Sequence, residues 1–203
     1  MTTGSRTGTV LSADDPRYLR SRAKLGSAIW ELASQLPVTE ISVAGLCRKA
    51  GVTRDTFYRH GTSPAELLAT LVRERVRRIA EEAIEDAPNS PNIVANGLLR
   101  LLGHITEHAD LYRHGTAIEE GAPLQGVLED AFSETLRRGV AHSPSVLPEE
   151  LRNDPSGADI AVTYAAAGAV GAVRVWLTTT DLDPDRGARL IMAASPQYWN
   201  RNF

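Results

Sequence analysis

The chain has a single cysteine, Cys47. No intrachain disulfide can form, which fits a reducing, cytoplasmic compartment. It lacks an apolar opening segment: residues 1–14 are small, polar and weakly charged, so no signal peptide is expected and this stretch reads as a disordered arm. No segment alternates as a half-buried strand does. A glycine-rich phosphate loop is also missing. Gly168 and Gly171 lie inside a helical run, without the preceding strand and spacing of a dinucleotide site. No nucleophile stands beside a base partner, so the reading is not an enzyme, with no cofactor and no bound metal. Nor is there a strongly apolar run of membrane-spanning length. The closest candidate, Ile160 to Leu177, is built of Ala, Gly and Val, and it includes Thr163, Tyr164 and Arg174. A spanning helix needs about 20 predominantly apolar residues, so this stretch is expected to be a buried helix.

What remains is helical. The 203 residues suffice for one fair-sized domain, or a small one joined to a medium one. Asp15-Pro16 reads as a helix start, an acceptor at the cap followed by proline in the first turn. Ile29, Leu32, Ala33 and Leu36 continue that helix at helical spacing, and it ends before Pro37. Short helices are expected over 42–50 and 54–60, separated by Gly51. Ser63-Pro64-Ala65-Glu66 reads as a capping box that opens a long helix to about residue 87. Pro88 to Pro91 reads as a turn. Further helices are expected over 92–108, 111–119, 124–142, 156–179 and 184–197, with a mobile loop over 142–155. The fold class is therefore all-α. A head over 15–62 is followed by a helical body over 63–203.

The charge is uneven. Residues 1–60 carry nine Lys/Arg against five Asp/Glu, while residues 61–203 carry thirteen against twenty. A basic end on an acidic body suits a protein that meets a polyanion with one end only.

The informative block runs from Ile41 to His60. Gly51 allows a tight turn between two short helices, Val52 plugs the gap, and Thr53 caps the second helix. Leu46, Cys47, Ala50 and Phe57 supply the small core between them. This is the grammar of a helix-turn-helix. The second helix would expose Arg54, Thr56, Tyr58, Arg59 and His60, a donor-rich set of a size that the major groove of DNA admits. Arg suits guanine, the Thr methyl suits thymine, and Tyr, His and backbone amides suit phosphates.

The run Ala50-Gly51-Val52-Thr53, then Thr56-Phe57-Tyr58-Arg59-His60, followed by Ser63 and Leu67-Leu68, closely resembles the signature of the TetR family. The resemblance covers about Arg22 to Leu71 and implies a DNA-binding transcription regulator. It places Thr53, Arg54 and Thr56 against bases or the nearby backbone, Tyr58 and His60 against phosphates, and Arg20 and Arg22 against the flanking backbone. Family members often have a polar or basic residue where this chain has Ala44, an aromatic where it has Gly61, and a lysine where it has Pro64. The missing lysine removes a phosphate contact at the start of the fourth helix, so affinity is lower unless Arg59 compensates. The resemblance also implies a homodimer that represses from a pseudo-palindromic operator and is released by a small-molecule effector.

Two further sets are candidates. Ala161, Ala165, Gly168 and Ala172 form a stripe of small residues, which with the helix around 186–194 would make a four-helix dimer interface. In the family that the chain resembles this region encloses an effector cavity, which here would be lined by Leu101, Ile105, His108, Tyr112, Phe132, Tyr164 and Trp176, apolar with a few polar tips, and would suit a mainly hydrophobic ligand. Two rival readings stand beside this one. His104, Glu107 and His108 are close enough in sequence to ligate a metal in a helical hydrolase, and the departures at Ala44, Gly61 and Pro64 would also fit a dimeric scaffold that no longer binds DNA.

Overall fold

A computed structural model describes residues 15–86, 93–118 and 122–199. The expected arm over 1–14 and the expected turn at Pro88 to Pro91 lie outside the described residues. Among those residues there are ten α-helices and no strand.

The head starts with α1 (Pro16–Ala33), whose first turn is capped by the Asp15 carboxylate accepting from Arg17 N–H at 2.7 Å. A 3₁₀ turn at Val38–Glu40 leads to α2 (Val43–Ala50), capped by Ser42. Then follow α3 (Arg54–Phe57) and the long α4 (Pro64–Asp86). Leu67, Leu68, Val72, Val76, Ile79 and Ala83 make the buried stripe of α4, at the three- and four-residue spacing that keeps one helical face apolar. That stripe serves both ends of the molecule, because α4 packs on α1, on α5 and on α7.

The body consists of α5 (Ile93–Glu107), α6 (Ala109–Thr116), α7 (Gln125–His142), α8 (Glu149–Asn153), α9 (Gly157–Leu177) and α10 (Pro184–Ala194). Helix α9 packs on α6, α7, α8 and α10, while α10 also closes on α5. At Gly187 this approach is so close that a Cβ would sit 2.8 Å from the Trp176 indole nitrogen and 3.1 Å from Leu102. One apolar core runs without a break from Leu25 in α1 to Met192 in α10. Head and body thus share a core, and α1 also touches α6 directly.

Two expectations need refinement. The stretch over 142–155 is not a bare loop: a 3₁₀ turn at Pro144–Val146 and α8 lie within it, and Leu147 is buried in a second small core with Ala161, Val162 and Trp199. Helices α5 and α6 are separated by a single residue, His108, whose φ of −126° and ψ of 34° take it out of the helix. Helix α9 is long and apolar enough to cross a membrane by length and composition, but it is not the buried helix expected: one side packs on α6, α7, α8 and α10, and the other, with Ile160, Tyr164 and Val175, is exposed.

Candidate nucleic-acid interface and candidate ligand pocket

Local chemistry builds the helix-turn-helix. The Ser42 hydroxyl accepts from Gly45 N–H at 3.0 Å and starts α2. Gly51 ends it at φ 63°, ψ 40°, the left-handed region where a side chain is strained. Its N–H donates to the Arg48 carbonyl at 3.3 Å, and Val52 N–H donates to that of Cys47 at 3.1 Å. Thr53 then caps α3, its hydroxyl accepting from Thr56 N–H at 3.1 Å and meeting the Thr56 hydroxyl at 2.9 Å. After Phe57 the chain tightens: Arg59 and His60 donate to carbonyls three residues back, at 3.3 and 2.8 Å. Phe57 is fully buried, while Tyr58 beside it is 60% exposed.

The outward set is Thr53, Arg54, Tyr58 and Arg59, with Thr56 half-buried and Arg20 exposed on α1. Arg59 is held by Asp55 at 2.8 Å on the same surface. Two expected phosphate contacts are placed elsewhere. His60 shares a hydrogen bond of 2.7 Å between its Nε2 and the Ser21 hydroxyl, stacks on Tyr18 at 4.2 Å, and has its Nδ1 buried without a partner. Burial holds its pKa below the ordinary imidazole value, with Arg22 and Arg59 adding to the effect. His60 therefore braces the second motif helix against α1 rather than facing outward. Arg22 Nη2 donates to Glu74 at 2.5 Å and links α1 to α4. That nitrogen is engaged in a half-buried pair with α4. Sequence spacing alone does not reveal either partner, because both are distant in the chain.

The expected capping box at α4 forms with one change. Glu66 N–H donates to the Ser63 hydroxyl at 3.1 Å, but the Glu66 carboxylate reaches back to Thr62, accepting its N–H at 2.6 Å and also its hydroxyl. These bonds hold the Glu66 carboxyl below the usual carboxylate range, the Thr62 hydroxyl contributing most. Pro64, where a lysine would offer a phosphate contact, is buried.

The residues chosen for an effector cavity scatter. Leu101, Ile105 and Tyr112 are buried in the continuous core, and Phe132 packs on it. Trp176 is buried beneath α10. Tyr164 faces outward at 67% exposure and so does not close a cavity with Tyr112. His108 lines a cavity, and that cavity is not inside the body. It has a volume of about 580 Å³ and lies between α1, α4 and the α5–α6 corner, bounded by Trp30, Leu71, Arg75, Arg78, His104 and His108 among others. Trp30 packs on both histidines, with ring centroids 5.7 Å from His104 and 5.0 Å from His108.

His104 is buried, its Nε2 has no hydrogen-bond partner, and its pKa is pushed down to about 4 by burial, with His108 and Arg75 adding. The Tyr112 hydroxyl is likewise buried and unpartnered, and burial pushes its pKa up. His104, Glu107 and His108 do converge, with one ligand atom from each within 4.8 Å of the others. Zinc bonds of about 2.0–2.1 Å would bring tetrahedral ligands closer than that, roughly 3.4 Å apart. The set would therefore have to close further, beside the Arg75 guanidinium.

The stripe chosen for a dimer interface is also redistributed. Ala161 is buried against the second small core, and Ala165 and Ala172 lean inward as well. Gly168 is exposed, and a Cβ there would meet nothing within 4 Å. The outward stripe of α9 runs instead through Ile160, Tyr164, Gly168, Gly171 and Val175, which share one arc by helical spacing. Ile160 is 60% and Val175 63% exposed, and α10 adds exposed Leu190. The signal is legible in the sequence as large residues four and fifteen positions after Ile160, namely Tyr164 and Val175.

No protein-family model matches the chain, and no curated protein matches it in sequence. Comparison with solved structures gives the fold: it is the all-helical TetR-like fold. A crystal structure of the TetR family repressor AlkX from Dietzia sp. strain DQ12-45-1b, described as implicated in biodegradation of n-alkanes, is similar with a TM-score of 0.53 and 16% identity, covering 98% of this chain and 99% of that one. The dihydroxyacetone kinase operon activator DhaS is similar with a TM-score of 0.60 and 18% identity, covering 90% of this chain and 96% of that one.

Proposed function

We propose that the chain is a DNA-binding transcription regulator that works in the cytoplasm as a homodimer. The observation that carries this reading is the short α3, capped by Thr53 and presenting Arg54 and Tyr58 outward while Phe57 anchors it to the core. A lone short helix binds DNA poorly, and two copies related by a two-fold axis read a pseudo-palindrome. The exposed apolar stripe of α9 with Leu190 of α10 supports pairing, since burying that stripe against its own copy removes large apolar side chains from water. The two solved neighbours bear opposite descriptions, one a repressor and one an activator. We read this chain as a repressor. An effector that prefers a wider spacing of the two heads would lower operator affinity by its differential affinity for the two states.

Selection of sites from a random DNA pool by the purified protein tests the reading. The expected result is a pseudo-palindromic site whose affinity falls steeply between about 50 and 200 mM salt, because phosphate contacts release counterions. Arg54→Ala should cost about 1–3 kcal/mol and relax sequence choice if the residue reads a base, whereas Tyr58→Phe should weaken all sequences alike. Gly168→Arg and Tyr164→Arg should each give a folded monomer by sedimentation, with operator affinity falling in step. A preferred site without symmetry, or a flat salt response, would count against the proposal. Metal analysis of the purified chain separates it from a hydrolase built on His104, Glu107 and His108.

A further inference from the structure

The cavity between α1, α4 and the α5–α6 corner has a charge arrangement that selects its ligand. Two acids line it, Glu31 and Glu74, and each is paired with a cation outside the lining: Glu31 with Lys49, and Glu74 with Arg22 at 2.5 Å. The two arginines of the lining are much less engaged. Arg75 meets Glu82 only at 3.8 Å, and Arg78 has no ion-pair partner among the described residues. The His108 ring lines the same space with no side-chain hydrogen bond among the described residues, and the buried Nε2 of His104 behind it is unpartnered. Trp30 and Leu71 supply flat and apolar surface.

We propose that this head–body cavity binds a planar aromatic carboxylate, with the carboxylate held by Arg75 and Arg78 and the ring laid against Trp30 and His108. Guanidinium forks bind carboxylates through charge-assisted, often bidentate hydrogen bonds, and an aromatic ring gains by packing on indole and imidazole faces. A divalent cation at His104, Glu107 and His108 is the competing occupant, but it would sit beside Arg75, where like charges repel and a carboxylate is attracted. The place matters for regulation. Ser27 and Trp30 of the lining belong to α1, which packs on α2, and Ser34 follows its end, whereas Arg75 and Arg78 lie on α4 and His108 at the α5–α6 corner of the body. A bound ligand would touch both and set the angle of the head. That regulatory role rests on the DNA-binding reading, but the binding itself does not.

The test is calorimetric titration of the full chain, without DNA, using 1-naphthoate and its uncharged counterpart 1-naphthamide. The acid should saturate and the amide should bind at least about tenfold more weakly, the difference expected for a charge-assisted hydrogen bond. Arg78→Gln, at an exposed position, and Arg75→Gln should each weaken the acid about tenfold and leave the amide unchanged. Quenching of tryptophan emission by the acid should disappear in Trp30→Phe. Equal binding of acid and amide, indifference of the acid to both arginine substitutions, or no saturation by naphthoate would overturn the proposal. Saturable binding of Zn²⁺ alone that is lost in His104→Gln, with no response to naphthoate, would replace it with a metal site. Because no DNA is present, a failed operator selection leaves this result standing, and a failed titration leaves the operator reading standing.

Discussion

Head and body begin their helices in different ways. In the head, every α-helix start carries a side-chain cap: Asp15 for α1, Ser42 for α2 and Thr53 for α3, and Ser63 does the same where α4 leaves it. In the body, α6, α7, α8 and α9 begin without a side-chain cap bond, and among the described helix starts there only α10 has one, the Asp183 carboxylate accepting from Asp185 N–H at 2.9 Å. Helix starts in the head are fixed by the residue next door. Helix starts in the body are fixed by what packs on them. A helix-turn-helix of four- and eight-residue helices has too little length to hold itself by propagation, so caps and one buried aromatic, Phe57, define it. A 21-residue helix such as α9 can draw on neighbours along its whole length.

That contrast can be broken at several points. The largest effect is expected in the body core. Leu102→Ala removes a fully buried side chain where α5 meets α10, and urea unfolding should show a loss of about 2–5 kcal/mol. A loss below 1 kcal/mol would mean that packing does not dominate there.

The next concerns the cavity between the two regions. In the unfolded chain His104 takes up a proton near the ordinary value of 6.5, whereas in the fold it stays neutral to about 4, chiefly because it is buried. The fold should therefore be unaffected by this group above pH 6.5 and should lose stability as pH falls from 6.5 toward 4. After allowance for solvent screening the expected loss is about 1–2 kcal/mol. Because carboxylates titrate in the same range, the check is a comparison of thermal unfolding of His104→Gln with the parent across that window. The variant should have the shallower slope, and identical slopes would remove His104 from the account.

The smallest pair of effects tests the caps themselves. Thr53→Ala should cost about 1 kcal/mol and loosen α3, measured by unfolding and by hydrogen exchange at Thr56. Ser156→Ala, at the uncapped start of α9, should stay within about 0.5 kcal/mol. Equal costs at the two positions would erase the distinction between head and body.

The sequence by itself determined the head, and it did so because the head is written in short-range chemistry. Ser42, Gly51, Thr53 and the Ser63–Glu66 pair act on backbone groups within four residues, so their spacing in the chain is their spacing in space. It also determined the all-helical class, since the apolar spacing of α4 survives any tertiary arrangement. Only the tertiary structure decided the rest. Arg22 and His60 have the chemistry of phosphate contacts, but Glu74, 52 residues away, and Ser21, 39 residues away, claim them first. Which side of α9 faces out depends on where α7 and α8 lie, and that assigns Tyr164 and Gly168 outward and Ala161 inward. The one-residue corner at His108 turns the α5–α6 chain beneath Trp30 and places the cavity at the junction rather than inside the body. Periodicity shows that a helix has an apolar side; the neighbours that choose which side is covered are set by contacts between residues far apart in the chain.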